Sequence, residues 1–227
     1  MTKKAWGTTL LALLAAWLLV GTVLGTPLWY DDACHTLVLD CLLRTGGECF
    51  PIHSEMGGTG HNPRSLFITV GPWLNYPAAL LYRAFGEALW APRLLVALHT
   101  AALLVLVVGL PRHWGWRGGG LAAGFLLVLP IQVHTYGAQY LGDVPGLLYL
   151  LAGWAVLAQA VAGRAPSGWG AWLLASLLLQ VAVLCKEYYL FIAWGGLGLL
   201  GLRALVLQRR LPWRLVALAL SLLVVPA

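Results

Sequence analysis

The chain has 227 residues, of which 60% are hydrophobic and 10% charged, with a mean hydropathy of +0.82 and a formal net charge of +6. These proportions exclude an ordinary soluble globular domain and point to a protein that crosses a membrane several times. The positive surplus does not indicate nucleic acid as a partner, because the basic residues are scattered over successive short connections and form no continuous stripe.

Taken in chain order, long apolar segments occupy 6–28, 89–110, 118–133, 144–162, 168–185, 188–207 and 212–227. A helix needs about 20 apolar residues to cross a hydrocarbon core of about 30 Å. The expected fold is therefore all-α: a polytopic membrane protein with about seven transmembrane helices in a single domain over 1–227. The first segment reads as a retained helix, since Gly25-Thr26-Pro27 offers no small-x-small cleavage site. The last is too short to span and has no polar flank, so the chain is expected to be truncated within that helix.

Lys3, Lys4, Arg112, Arg117, Arg164, Arg203, Arg209, Arg210 and Arg214 fall at alternate ends of these segments. The excess of Lys and Arg in cytoplasmic loops assigns those ends, and the N-terminus, to the cytoplasm of a multi-pass protein of the plasma or inner membrane. All eight acidic residues then fall outside. Six of them share the loop 29–88, so their grouping is one event; Asp143 and Glu187 stand alone in short connections and say more. A carboxylate at the centre of a spanning helix costs about 2.5–3.5 kcal/mol, so acids near the membrane usually face a polar cavity or a partner. An acidic site on the extracytoplasmic face is the expectation.

Within loop 29–88, Cys34, Leu37, Val38, Cys41 and Leu42 have the spacing of one helical stripe, predicting an amphipathic helix over 30–44 that lies in the membrane interface. Asp31 and Asp32 stand at its N-terminal end, where the helix dipole favours negative charge. One acid suffices as a cap; two exceed that need. Gly57–Gly60 and Gly118–Gly120 read as turns, because neither carries the Lys-Ser/Thr pair of a phosphate-cradling loop. No nucleophile elbow and no H-E-x-x-H helix occurs.

Cys34, Cys41, Cys49, His35, His53 and His61 share the loop without C-x-x-C or H-x-x-x-H spacing, so no metal and no other cofactor is expected, and no motif supports a divalent ion. Cys34 and Cys41 are about 10.5 Å apart along a helix, beyond the ~7 Å reach of a disulfide, which leaves Cys41 with Cys49 as the feasible pair. His99 is expected to pack inside its span, hydrogen-bonded to a neighbour.

An acidic pair opening a helix (Tyr30-Asp31-Asp32-Ala33), then Gly71-Pro72-Trp73-Leu74-Asn75-Tyr76-Pro77 running into Leu80–Gly86, Tyr140-Leu141-Gly142-Asp143-Val144-Pro145, and Leu184-Cys185-Lys186-Glu187-Tyr188 follow one another in this order. The series resembles the GT-C class of membrane glycosyltransferases, and more narrowly is similar to the protein O-mannosyltransferase and aminoarabinose-transferase-like group. It differs in having Asp31-Asp32 followed by Ala33, Cys34 and His35 where the group has Asp-Glu followed by aromatic residues. It also has Gln139 and Tyr140 where a basic residue often precedes the second Asp.

The resemblance implies inverting transfer of a sugar from a polyprenyl-phosphate carrier to a hydroxyl of a lipid, glycan or protein acceptor, on the extracytoplasmic side and among membrane lipids. Asp31, with Asp32 as its substitute, is then the catalytic base. Asp143, Lys186, Glu187, Arg64, Arg83 and Tyr76 are the expected substrate-binding residues, with Arg93 a further source of charge. The alternatives are a secondary transporter or lipid flippase, in which Asp143 and Lys186 couple movement, and a non-catalytic membrane assembly subunit. A nucleotide-sugar enzyme is disfavoured, since no D-x-D motif is present.

Overall fold

The structure, a computed structural model, describes residues 30–46, 50–53, 59–62, 70–113, 142–161, 169–209 and 213–224. The expected spans 6–28 and 118–133 lie outside the described residues. The chain divides into two compact units, Met1–Pro145 and Gly146–Ala227.

In the first unit, helix α1 (Tyr30–Thr45) is followed by strands β1 (Phe50–His53) and β2 (Thr59–Asn62), then α2 (Pro72–Ala84) and α3 (Trp90–His113). The α1 helix stops at Gly46, whose positive φ of 75° and N–H bond to the Leu42 carbonyl (2.8 Å) make a left-handed C-cap. Its buried face is His35, Val38, Leu39 and Leu42 with Cys41, while Leu37 is 41% exposed. Val38, Cys41 and Leu42 of the expected stripe are thus buried, whereas Leu37 gives way to Leu39. Leu37, Val38, Leu39, Leu42 and Leu43 wrap apolar surface around much of the helix, so sequence spacing alone does not choose the face.

The antiparallel hairpin pairs Phe50 with Asn62 and His53 with Thr59. It was not anticipated, and it takes Thr59 and Gly60 out of the turn assigned to the glycine run. Cys41 is in a disulfide, and its expected partner, Cys49, lies outside the described residues.

Pro72 opens α2 at a position where a missing N–H costs nothing. Leu74, Asn75, Ala78, Ala79 and Tyr82 form its buried face, and α2 packs between α1 and α3. It ends in a Schellman turn: the Gly86 N–H reaches the Arg83 carbonyl (3.3 Å) and the Glu87 N–H reaches that of Tyr82 (2.8 Å), with Gly86 at φ 68°.

The second unit is an up-down helical bundle. Most of α4 (Asp143–Val161) belongs to it, followed by α5 (Trp169–Cys185), α6 (Tyr189–Gln208) and α7 (Trp213–Ser221), which ends in a 3₁₀ turn, Leu222–Val224. Small residues allow close helix approach, as is usual in membrane proteins. A methyl group at Gly146 would overlap the Tyr189 ring, one at Gly196 the Trp154 ring, and one at Gly153 the Leu179 side chain. These contacts run α4 parallel to α6. Polar side chains join the rest: Ser176 and Ser221 hydroxyls meet at 2.8 Å, and Trp194 Nε1 donates to the Ala219 carbonyl at 3.1 Å. With Trp169 and Trp213 in ring contact at the other end, α5 and α7 are parallel.

The α3, α4 and α6 helices are long and apolar enough to cross a membrane, with spans Trp90–Val107, Asp143–Val161 and Tyr189–Val206; α5 is apolar and shorter, at 17 residues. All four coincide with expected spans.

Candidate functional site

The backbone of Asp31 and Asp32 lies in the first turn of α1, as their spacing implied, where free N–H groups and the helix dipole favour carboxylate ions. Their carboxyl groups, like Arg64, lie outside the described residues. One turn further along, His35 is 3% exposed and Thr36 is 9% exposed. Both are engaged in interactions. His35 lies four residues after Asp31 on the same helix.

The α2 helix separates the remaining candidates of the first unit by face. Tyr76 (52% exposed) and Arg83 look outward, whereas Asn75 is buried and donates from Nδ2 to the Val70 carbonyl at 2.6 Å, fixing the approach to the helix. Arg93, in the first turn of α3, is also buried and engaged. Buried Asn75 and Arg93 were named in sequence only as part of a motif and as an auxiliary charge. Nearby, Asp40 and Arg44 form a 3.0 Å ion pair on α1. Burial pushes the Tyr82 phenol above its ordinary value of 10.0, and the negative charges of Glu87 and Asp40 add to the shift. His99 donates from Nδ1 to the Leu95 carbonyl of its own helix (2.7 Å). No group of three His, Cys, Asp or Glu side chains suited to a metal occurs among the described residues.

In the second unit, α5 and α6 are joined by the tight link Lys186–Tyr188. The Lys186 N–H continues α5 to the Ala182 carbonyl (3.1 Å), while the Lys186 carbonyl accepts the Tyr189 N–H that starts α6 (3.1 Å). Lys186 is therefore held by backbone bonds on both sides. Its Nζ lies 5.9 Å from the centre of the Tyr188 ring, and Tyr188 and Tyr189 are in ring contact at 4.5 Å. Glu187 is exposed. Asp143 opens α4 and belongs to the first unit. The arrangement offers an ammonium group at a helix end, partly exposed and backed by aromatic rings, suited to an anionic ligand.

No family model matches the chain, and no curated protein matches it. Among solved structures it is similar to ArnT from Cupriavidus metallidurans, crystallised bound to undecaprenyl phosphate, with a TM-score of 0.68 and 19% sequence identity. The match covers 99% of this chain and 40% of that one, so the chain spans about two-fifths of that protein's length. The chain thus has the GT-C-like helical membrane fold that its motif order implied.

Proposed function

We propose that this chain serves an inverting glycosyltransferase that moves a sugar from a polyprenyl-phosphate carrier to an acceptor hydroxyl at the extracytoplasmic membrane face. The observation that carries the reading is the likeness over 99% of the chain to a protein bound to undecaprenyl phosphate.

In this reading Asp31 takes the proton of the acceptor hydroxyl, with Asp32 as substitute. The acceptor oxygen bonds to the anomeric carbon from the face opposite the carrier as the bond from that carbon to the phosphate oxygen breaks. The electron pair leaves on the polyprenyl phosphate, which needs positive charge and no proton. Lys186 supplies that charge, assisted by Arg64, Arg83 or Arg93; Asp143 orients acceptor or base, and Glu187 and Tyr76 contribute to binding.

The test is to express the intact gene product in membranes and supply labelled polyprenyl-phosphate sugars. A labelled glycoside with inverted anomeric configuration and free carrier phosphate is expected. Ion-dependent uptake without glycoside would instead establish the transporter reading. Reporter fusions complete the test: residues 46–64 should lie outside, with Arg112, Arg164 and Arg209 inside.

A further inference from the structure

The second unit has a charge problem at the end remote from Lys186. Between residues 146 and 227 the sequence holds Arg164, Lys186, Arg203, Arg209, Arg210 and Arg214, against Glu187 as the sole acid. Glu187 follows the C-terminus of α5, whereas Trp169 begins that helix, which is 17 residues or about 25 Å long at 1.5 Å per residue. The arginines at the Trp169 end therefore have no carboxylate of their own unit near them in the sequence.

One of them sits in a built setting. The Arg214 guanidinium carbon lies 5.1 Å from the centre of the Trp169 ring, 5.9 Å from that of Trp172 and 6.0 Å from that of Trp213. Trp169 and Trp213 touch each other at 4.9 Å, yet each remains more than half exposed. The frame is fixed further along by the Ser176–Ser221 bond, with Gln180 donating to the Ser221 carbonyl (3.3 Å), so α5 and α7 hold Arg214 and its rings in register. Tryptophans with half-exposed rings at the end of a spanning helix belong at the headgroup level of a bilayer. A guanidinium placed over aromatic rings keeps its N–H edges available for a two-point bond to phosphate.

We propose that Arg214, framed by Trp169, Trp172 and Trp213, binds the phosphodiester headgroup of an anionic membrane phospholipid. The site is separate from the proposed transfer chemistry. Charge complementarity and the exposed indole rings select a lipid over an acidic protein segment, and the leaflet is the one facing the cytoplasm if the Arg and Lys distribution sets the orientation.

The intact gene product, in nanodiscs of phosphatidylcholine with a minor share of phosphatidylglycerol, is released and weighed by native mass spectrometry. Retained phosphatidylglycerol should fall about tenfold or more in Arg214→Gln, the loss expected for charge-assisted bonds. It should fall less in Arg214→Lys, which keeps charge but not the planar fork. Arg203→Gln, at an exposed arginine in the same end of α6, should retain it fully. Equal retention in wild type and Arg214→Gln, or an equal loss in Arg203→Gln, overturns the proposal. So does equal retention of phosphatidylcholine, displacement by inorganic phosphate, or co-purification of an acidic protein in place of lipid. If Arg214→Gln does not fold, the Lys variant decides, with undiminished phosphatidylglycerol in that variant counting against the site.

Discussion

The two units of the chain handle charge in opposite ways. The first, up to Pro145, holds eight basic and seven acidic residues; the second holds six basic and one acidic. In the first, Asp40 meets Arg44, and polar groups such as His35, Asn75 and Arg93 are buried on three successive helices. In the second, polar groups are satisfied by hydroxyls, carbonyls and rings, and the helices are held together by glycines under aromatic side chains. The acidic reaction centre proposed above belongs to the first unit, where Asp40 has Arg44 as a partner. The second is a scaffold that carries a few cations at its ends.

The largest expected effect tests the first half of this contrast. Asp31→Asn should lower transfer by about 10² to 10⁴-fold, the range of general-base catalysis, with membrane insertion unchanged. A loss under about tenfold in assays of labelled donor would return Asp31 to the role of a helix cap and move the base to Asp32.

The scaffold half is tested by neighbouring glycines. Gly196→Leu drives a side chain into Trp154 and should cost about 1–3 kcal/mol, read as a lower melting temperature in detergent. Gly195→Ala, beside it but facing open space, should be neutral or stabilising by up to about 1 kcal/mol because alanine favours helix. Equal behaviour of the pair would show that the α4–α6 contact is not close packed.

Lys186 is where the two descriptions meet, a cation at a scaffold end assigned to chemistry. Lys186→Met should raise the donor concentration needed for half-maximal transfer by about tenfold or more, and Lys186→Arg by less. If the lysine only extends toward the interface, Arg matches wild type and Met affects insertion alone.

The smallest effect is alkaline. With the Tyr82 pKa raised in the folded state, its contribution to stability is present below its unfolded value of 10.0 and is lost as pH rises through the higher folded value. Absorbance titration against Tyr82→Phe should show one tyrosine ionising late, and Asp40→Asn should bring it slightly earlier. A Tyr82 titrating at its ordinary value would mean that α2 does not bury it.

What was legible in the sequence follows from these differences. Spanning helices are written as apolar run length, so 89–110 became Trp90–His113 and 168–185 became Trp169–Cys185. The order of the short motifs carried the fold. The hairpin was hidden because Pro51 and Gly60 interrupt any strand pattern. The edge of the buried face of α1 shifts from Leu37 to Leu39 because apolar residues surround much of the helix. The cluster of Arg214 with three tryptophans was invisible for another reason: Trp169 and Trp213 are 44 positions apart in the chain, and only the parallel packing of α5 and α7 joins them.

Cys185 closes α5 as a free thiol with its side chain fully buried, immediately before Lys186. A thiol shut away beside the Lys186–Tyr188 turn acts as a clock. A membrane-permeant alkylating reagent reaches it only when the α5–α6 link opens, so its labelling rate counts those openings, and a donor that holds the link closed would slow the count.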